Sequence, residues 1–378
     1  MRVQPFLQFF VVLFVGIFVP ANLAFADLIS VTDLIGRRVT LKAPAQKVIL
    51  GEGRYIAALG ILDRDDPTKR LVGSLGEFKS LDPAGYGQYL KAFPKLAEVP
   101  LFGGPSADTV SVEKAIALKP DLAIFGKSGH GPSSRTKAIV EKIEAAGIPV
   151  VFIDFRDAPL VNTPKSMRLL GKLLDREIEA EEYIRFYESE LAKVRNRLKQ
   201  AQPRKPTVFI EVHVGRNIPC CFTMSEGLMG RFIDFAGGKN IAKDLVPGPS
   251  GTINLEHLIA TQPEIYIGTA IGSPSTIKSA PKYIVLGTGV SADMARASLR
   301  RGLDRKGIAD LNAVSSGNAH AIWHHFYNSP LNVVAVQAFA KWFHPDLFAD
   351  LDPEETLRTL FTRFQAVPLR GVYWASLK

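Results

Sequence analysis

The chain has 378 residues, of which 47% are hydrophobic and 22% charged, and its formal net charge is +9. This composition excludes a disordered chain and is sufficient for two or three globular domains. The surplus of basic residues favours an anionic partner. The sequence contains no RGG tract, zinc-finger spacing or basic helix with interleaved aromatic residues, so no nucleic-acid partner is expected.

The first 26 residues differ in composition from the rest of the chain. Arg2 is their only charged residue, an apolar run extends over residues 6–19, and Ala24, Phe25 and Ala26 form a small-residue cleavage site before Asp27. We predict a signal peptide over residues 1–26 that is cleaved on export to the periplasm. An uncleaved membrane anchor is the alternative, because the apolar run approaches the length that spans a bilayer.

Only two cysteines occur, and they are adjacent at Cys220 and Cys221. Two neighbouring cysteines cannot form the disulfide framework that stabilises small secreted domains. Three states of these cysteines are possible: a strained vicinal disulfide, a disulfide bond to another chain, or two small buried thiols. We favour the buried thiols.

Short apolar strands alternate with helical stretches along the chain. A glycine-containing loop at 51–55 follows the first of these strands and leads into a helix that begins at 56–62. Such alternation predicts parallel sheets covered by helices on both faces. The predicted strands lie at 47–50, from 72, at 122–125, 150–154, 207–212 and 265–268.

A long helical stretch separates two groups of strands. Thr163 is predicted as its N-cap and Pro164 as its first helical residue, and the helical pattern continues to Lys199. One apolar stripe runs along it. We predict an N-terminal half at 27–160, a linker helix at 161–203 and a C-terminal half at 204–378. The stripe consists of Ile184, Tyr187, Leu191, Val194 and Leu198.

A short motif occurs twice, as SVEKAIALKPDLAIFG at 111–126 and as INLEHLIATQPEIYIGT at 253–269. Each copy has an N-cap residue, an acid two positions later, a proline that stops the helix, and an apolar strand. This repeat predicts two halves of similar build. The caps are Ser111 and Asn254, the acids are Glu113 and Glu256, and the inward-facing residues are predicted to be Ile116, Ala117, Ile259 and Ala260.

The repeat, the run FTMSEGLMGRFIDFAGGKNIAKDL at 222–245 and WHHFYNSP at 323–330 resemble the periplasmic substrate-binding proteins of ABC importers for iron complexes, haem and cobalamin. The resemblance covers nearly all of the chain after residue 26. It implies an α/β fold of two lobes with mainly parallel sheets joined by one long α-helix. It also implies a receptor, not an enzyme, that captures a metal chelate and delivers it to the transmembrane permease subunits.

In that family one glutamate on each lobe docks into an arginine pocket of the permease. By position in the repeated helix, the resemblance assigns these roles to Glu113 and Glu256. An acid in the first turn of a helix is also favoured by the helix dipole alone, which is the structural alternative.

The loops at the carboxyl ends of the strands are expected to hold the ligand between the lobes. Four cations among them predict a positively charged cleft for an anionic iron chelate such as a ferric siderophore. For any single residue, core packing or surface solvation is the alternative. The candidate ligand-binding residues are Arg54, Tyr55, Lys127, Ser128, His130, Arg156, His213, Arg216, Trp323, His324, His325 and Tyr327.

Several other functions are weighed. The seven histidines make direct binding of a bare metal ion an alternative function. The acidic, histidine-rich loop that is typical of zinc and manganese receptors is missing. Haem, cobalamin or an oxyanion are further candidate ligands. No nucleophile elbow, P-loop or dinucleotide fingerprint is present, so no catalysis and no resident cofactor or metal are expected. We expect a monomer.

Overall fold

The computed structural model describes Met1, residues 28–216 and residues 220–378. The predicted signal peptide, apart from Met1, lies outside the described residues. Within the described part of the chain, no helix combines the length and the apolar character needed to cross a bilayer.

The N-terminal half is built on a five-stranded sheet in which all pairings are parallel, in the order β5-β4-β3-β6-β7. Strand β6 is buried along its whole length because helices cover both faces of the sheet. A two-stranded antiparallel hairpin, β1-β2, precedes it. The strands are β1 Ile29–Thr32, β2 Arg38–Leu41, β3 Val48–Leu50, β4 Leu71–Leu75, β5 Leu101–Gly103, β6 Leu122–Gly126 and β7 Val150–Ile153, and the helices are α1 Ile56–Leu62, α2 Glu77–Leu81, α3 Pro83–Ala92, α4 Val112–Ala117 and α5 Lys137–Ala145.

Two consecutive helices, α6 Pro159–Leu174 and α7 Glu177–Ala201, connect the halves. Helix α6 begins four residues before the predicted cap, because Pro159 already supplies the fixed φ that suits a first helical position. Thr163 is therefore not the N-cap, and Pro164 lies inside the helix. The predicted stripe on α7 faces inward: Ile184, Tyr187, Leu191 and Val194 are buried, and Leu198 is partly buried.

The C-terminal half has a mixed sheet with a parallel centre, in which β12 pairs with β8 on one side and β13 on the other. Strand β10 is parallel to β8, and β9, β11 and β14 are antiparallel additions. The predicted α/β fold of two lobes with mainly parallel sheets is thus confirmed. The strands are β8 Thr207–Glu211, β9 Phe222–Met224, β10 Lys239–Asn240, β11 Ser250–Thr252, β12 Ile265–Ala270, β13 Ala319–Trp323 and β14 Trp374–Ser376, and the helices are α8 Gly230–Phe235, α9 Leu255–Thr261, α10 Pro274–Ser279, α11 Ala292–Leu303, α12 Asn312–Ser315, α13 Val333–Phe343 and α14 Pro353–Phe364.

The repeated motif forms equivalent helices, α4 and α9, each followed by a central strand. The Ser111 hydroxyl accepts a hydrogen bond from the Lys114 N–H (3.2 Å), and the Asn254 side chain accepts one from the Glu256 N–H (2.7 Å). The predicted inward face is wrong by one position, because the buried residues are one place earlier on each helix. Val112, Ala115 and Leu258 are buried and Ile116 is half-buried, whereas Ala117, Ile259 and Ala260 are exposed.

One hydrophobic cluster runs through both halves. It includes Leu50 from the first sheet, Tyr183 and Tyr187 from α7, and Val208 and Ile210 from the second sheet. The hydroxyl of Tyr187 donates to the Asn332 side-chain oxygen (2.6 Å), which ties α7 to the start of α13. The halves therefore share a continuous core instead of meeting only through a flexible linker.

Cys220 and Cys221 are joined by a vicinal disulfide just before β9. The expectation of two unpaired thiols is wrong. Adjacency in the sequence does not decide whether two cysteines bond, because that depends on the backbone conformation between them. In this turn the backbone brings the two sulfur atoms together.

Candidate ligand-binding site

The carboxyl ends of the central strands of both sheets meet between the halves. From the N-terminal half come the loop at 51–55 after β3, the loop at 126–131 after β6 and the turn at 154–157 after β7. The C-terminal half contributes a short 3₁₀ turn, His324–Asn328, directly after β13. Polar side chains from these segments contact one another across the boundary.

Glu52 is the centre of this contact and is 1% exposed. Its carboxylate accepts hydrogen bonds from Arg54 Nη2 (2.8 Å), Arg156 Nη2 (3.2 Å) and the backbone N–H of His130 (2.9 Å). Asn328 Nδ2 donates to it from the other half (2.6 Å). Burial alone would raise the pKa of Glu52, but Arg156 and Arg54 outweigh it and lower that pKa to about 2. Glu52 is therefore ionised at neutral pH.

The approach of the Glu52 carboxylate explains the glycine at position 129. A Cβ atom there would lie 1.9 Å from Glu52 Oε1, and the φ of Gly129 is 153°. Any side chain at this position would displace the carboxylate. The loop after β6 is thus shaped around Glu52.

Arg54 joins the two halves through its other contacts. Its Nη1 donates to His325 Nδ1 (2.8 Å), and its backbone N–H donates to Glu77 Oε1 (3.1 Å). The same Glu77 oxygen lies 3.6 Å from Arg54 Nε. Burial raises the pKa of Glu77, and the positive charge of Arg54 only partly opposes that rise. Arg54 is thus held by two carboxylates and one imidazole.

The predicted histidines come together at the boundary. The ring centroids of His213 and His324 are 3.7 Å apart, and His324 Nδ1 lies 2.9 Å from the Thr269 hydroxyl. Burial lowers the pKa of both His130 and His213 to about 4. It also lowers the pKa of His324 and His325 well below the usual range. All four imidazoles are therefore uncharged at neutral pH.

This convergence does not form a metal centre in the described part of the chain. No three His, Cys, Asp or Glu side chains there are placed so that they could hold one metal ion. His213 has a left-handed backbone (φ 50°), a conformation that His adopts more readily than most residues. The Nε2 atoms of His213 and His325 are buried and have no hydrogen-bond partner among the described residues.

Aromatic faces complete the site. The Arg156 guanidinium lies 4.9 Å from the centre of the Tyr327 ring, and the His324 ring packs edge-on against the same tyrosine at 4.8 Å. Stacking of this kind orients the guanidinium that also binds Glu52. Arg156 retains 15% exposure of its side chain, so it is the more accessible of the two arginines.

The remaining predicted residues lie at the margins of this cluster. Tyr55 is buried against Phe155 in the core. Lys127 Nζ is 3.8 Å from the Asp157 carboxylate, to which the Ser128 hydroxyl also donates a hydrogen bond. These three positions flank the loops that carry Glu52 and Arg156.

Trp323 and Arg216 take different positions. The half-buried Trp323 ring packs edge-on against His325 and against Tyr373, and it lines a cavity together with Arg54 and His325. Arg216 precedes residues 217–219, which lie outside the described part of the chain, and its charge contributes to the lowered pKa of His213. Both are close to the histidines that the sequence placed at the site.

The predicted positive cleft is largely neutralised. Arg54 and Arg156 are paired with the buried Glu52, Arg54 also approaches Glu77, and Lys127 lies near Asp157. Three of the four predicted cations therefore face a carboxylate. The predicted positive charge rested on the cations at strand ends and did not include the acids that pair with them.

Sequence reasoning missed Glu52, Glu77 and Asn328. Glu52 stands in the loop that was predicted to bind ligand, directly after a buried strand and two residues before Arg54, and that spacing could have identified it. Asn328 lies in the quoted WHHFYNSP motif. Glu77 lies on a separate helix, and no local signal marks it as a partner of Arg54.

The two acids of the repeat are exposed in the first turns of α4 and α9, one on each half. Neither belongs to the cluster between the halves. Their positions separate them from the ligand site and leave them accessible to another protein.

Two α/β halves, joined by long helices and lined at their boundary by polar side chains from both, define a two-lobed solute-binding protein. Residues 91–281 match the family described as periplasmic binding protein. The chain belongs to that family, which confirms the resemblance drawn from the sequence. Membership implies an extracytoplasmic location.

Individual relatives agree with this assignment. The chain is similar to a crystal structure of the TroA-like periplasmic binding protein FepB from Veillonella parvula, with 26% identity, coverage of 92% of this chain and 99% of the other, and a TM-score of 0.82. It is 27% identical to a vitamin B12-binding protein of Pectobacterium carotovorum over 53% of this chain and 70% of the relative. The molybdate-binding MolA of Haemophilus influenzae shares the fold at 18% identity, with coverage of 90% and 99% and a TM-score of 0.66.

Proposed function

We propose that this chain is the substrate-binding protein of an ABC importer and that it captures an iron complex, such as a ferric siderophore, between its lobes. The observation that supports this proposal most directly is the cluster of Arg54, Arg156, His213, His324 and Tyr327, to which both halves contribute at the strand ends. Guanidinium, imidazole and phenol groups suit the oxygen-rich surface of a metal chelate. The cleaved signal peptide would place the mature chain in the periplasm.

A preformed site would supply the affinity. The shared core and the buried Glu52–Asn328 hydrogen bond hold the lobes together in the described structure, so closure on ligand is expected to be small. A site that needs little rearrangement loses less ordering entropy on binding. The protein acts as a monomeric receptor and not as an enzyme, with no resident cofactor.

The ligand is tested by purifying the exported protein in its native state and analysing it by metal analysis and mass spectrometry. Iron with an organic chelator, in a ratio of one per chain, is the expected result. Stoichiometric zinc or manganese without a chelator would instead establish bare-metal binding. Cobalamin, haem or an oxyanion in the same ratio would assign one of the other ligand classes, and the similarity to a vitamin B12-binding protein favours cobalamin among them.

Delivery to the permease is proposed to depend on Glu113 and Glu256, which are exposed on equivalent helices of the two lobes. A two-fold permease requires one contact on each lobe. Reversing both charges with Glu113→Lys and Glu256→Lys should abolish uptake in cells while leaving ligand affinity unchanged in titrations of the purified protein. The change Glu141→Lys, at an exposed acid on α5, serves as the control for added charge. Normal uptake by the double variant would contradict the docking role.

A further inference from the structure

Carboxylates of the protein offset part of the positive charge between the lobes. Glu52 contacts the guanidinium groups of both Arg54 and Arg156, at 2.8 and 3.2 Å. Glu77 lies 3.6 Å from Arg54, and the Asp157 carboxylate lies 3.8 Å from Lys127. Each of these cations therefore has a carboxylate of the protein as its partner, and its field is reduced at the position of a ligand.

The surrounding polar groups add no further positive charge. His325 Nδ1 accepts a hydrogen bond from Arg54, so this imidazole cannot carry a second proton while that contact exists. The rings of His213 and His324 lie in contact with each other, an arrangement that disfavours two protonated imidazoles. The histidines thus present neutral surfaces to the cleft.

A fully buried carboxylate that is held by four donors is not available for exchange with a ligand anion. Displacing Glu52 would require breaking its contacts to both arginines, to the His130 N–H and to Asn328. Moving it away would also leave the guanidinium group of Arg156 without its carboxylate partner. Glu52 is therefore expected to stay in place when a ligand binds and to set the charge that the ligand meets.

We propose that Glu52 tunes the site for a chelate whose net charge is near zero, in preference to the anionic chelate that the sequence predicts. This inference rests on the proposed function, because it takes the boundary between the lobes as the ligand site. A trianionic chelate would meet the negative charge of Glu52 and only a small surplus of cations, because Glu52 offsets one of its two arginine partners. A neutral complex would meet no such repulsion and could still accept hydrogen bonds from the accessible edge of Arg156.

The test titrates the full mature protein, by tryptophan fluorescence and calorimetry, with four probes that separate charge from iron content. These are a neutral ferric trihydroxamate, a trianionic ferric tricatecholate, neutral cyanocobalamin, and the molybdate dianion. We expect the neutral hydroxamate to bind at least about tenfold more tightly than the catecholate. Binding of cobalamin in place of both iron complexes would overturn the iron function but support the charge inference.

Two variants move the charge of the site in opposite directions. Glu52→Gln removes the buried negative charge and should shift the ratio of affinities at least about tenfold toward the catecholate. Arg156→Gln, at the more accessible arginine, should shift it the other way, and it serves as a second test if the first variant folds poorly. Glu141→Gln makes the same formal change on the exposed face of α5 and should leave the ratio unchanged.

Different results would contradict the proposed iron function and the charge inference. If the catecholate binds at least as tightly as the hydroxamate and Glu52→Gln leaves the ratio unchanged, the iron function stands and the charge inference is overturned. Preferential binding of molybdate overturns both. Failure of both neutral probes, the hydroxamate and cyanocobalamin, to bind also overturns the charge inference.

Discussion

At the scale of single residues, Glu52 decides more about the site than any of the cations that the sequence made conspicuous. It is buried, it holds both arginines, and it receives a hydrogen bond from the opposite half. Removing one member of a buried charge network typically costs about 3–5 kcal/mol, because the remaining charge is left without a partner. Glu52 therefore serves the stability of the closed site as well as its charge.

The buried histidines make the stability depend on pH. The folded-state pKa values of His130 and His213 are lowered from 6.5 to about 4. The unfolded chain therefore binds protons first as the pH falls, and stability that is fully present above 6.5 is lost progressively down to about 4. Each group contributes up to about 3 kcal/mol. The lowered pKa of Glu52 adds a further loss as the pH falls from 4.5 to about 2.

Thermal unfolding between about pH 7 and about pH 5 measures this effect. We expect the Tm of the parent protein to fall over this range, and that of the variant His213→Gln to fall less steeply. His257→Gln, at an exposed histidine on α9, is the matched control and should retain the parent slope. A parent Tm that does not change between these pH values would contradict the lowered pKa values of the buried imidazoles.

At the scale of elements, helix α7 supports both halves with one face. Ile184 on that face is 1% exposed, whereas Ile178, in the first turn of the same helix, is 82% exposed. The apolar stripe packs against helices from both sides of the molecule, including α1, α6 and α13. Burial of this stripe, more than helix propensity, stabilises a helix of 25 residues.

The two isoleucines provide a matched pair. Ile184→Ala should lower the free energy of unfolding by about 2–4 kcal/mol, because it removes buried methyl groups and leaves a cavity. Ile178→Ala should change it by less than about 0.5 kcal/mol, since little apolar surface is buried there. Denaturant unfolding followed by circular dichroism measures both. Equal effects of the two substitutions would contradict the assigned orientation of α7.

At the scale of the whole molecule, the lobes are separate sheets that share one core. The cluster that includes Leu50 and Tyr183 continues to Ile210, so apolar packing joins the halves beside the polar side chains at their boundary. The Tyr187–Asn332 and Glu52–Asn328 hydrogen bonds add polar links to it. Such continuity makes the unfolding of one lobe expose apolar surface of the other.

We therefore expect the mature protein to unfold in a single cooperative transition despite its two lobes. In differential scanning calorimetry, the ratio of calorimetric to van't Hoff enthalpy should be about 1. A saturating ligand should raise the Tm without splitting the transition, because it binds only the native state. Two resolved transitions would show that the lobes unfold independently and would refute the shared core.

The sequence predicted one connecting helix where the structure has two, α6 and α7. By itself it determined the alternation of strands and helices, the duplicated motif, the helical character of the connection and the loops that carry the candidate residues. These features depend on local periodicity and on proline, glycine and capping residues, which act over a few neighbouring positions. The resemblance to the periplasmic binding proteins followed from the same motifs. Arg54, Arg156 and His325 were identified in this way.

Only the tertiary structure decided which charges neutralise one another. Arg156 pairs with Glu52 from 104 positions away, and Arg54 lies 3.6 Å from Glu77, which is 23 positions further along the chain. Ion pairing depends on distance in space. Residues that are far apart in the sequence come within that distance only when the sheets and α7 have assembled. The charge that a ligand meets is for this reason a property of the folded lobes together, whereas the composition shows only an overall surplus of base.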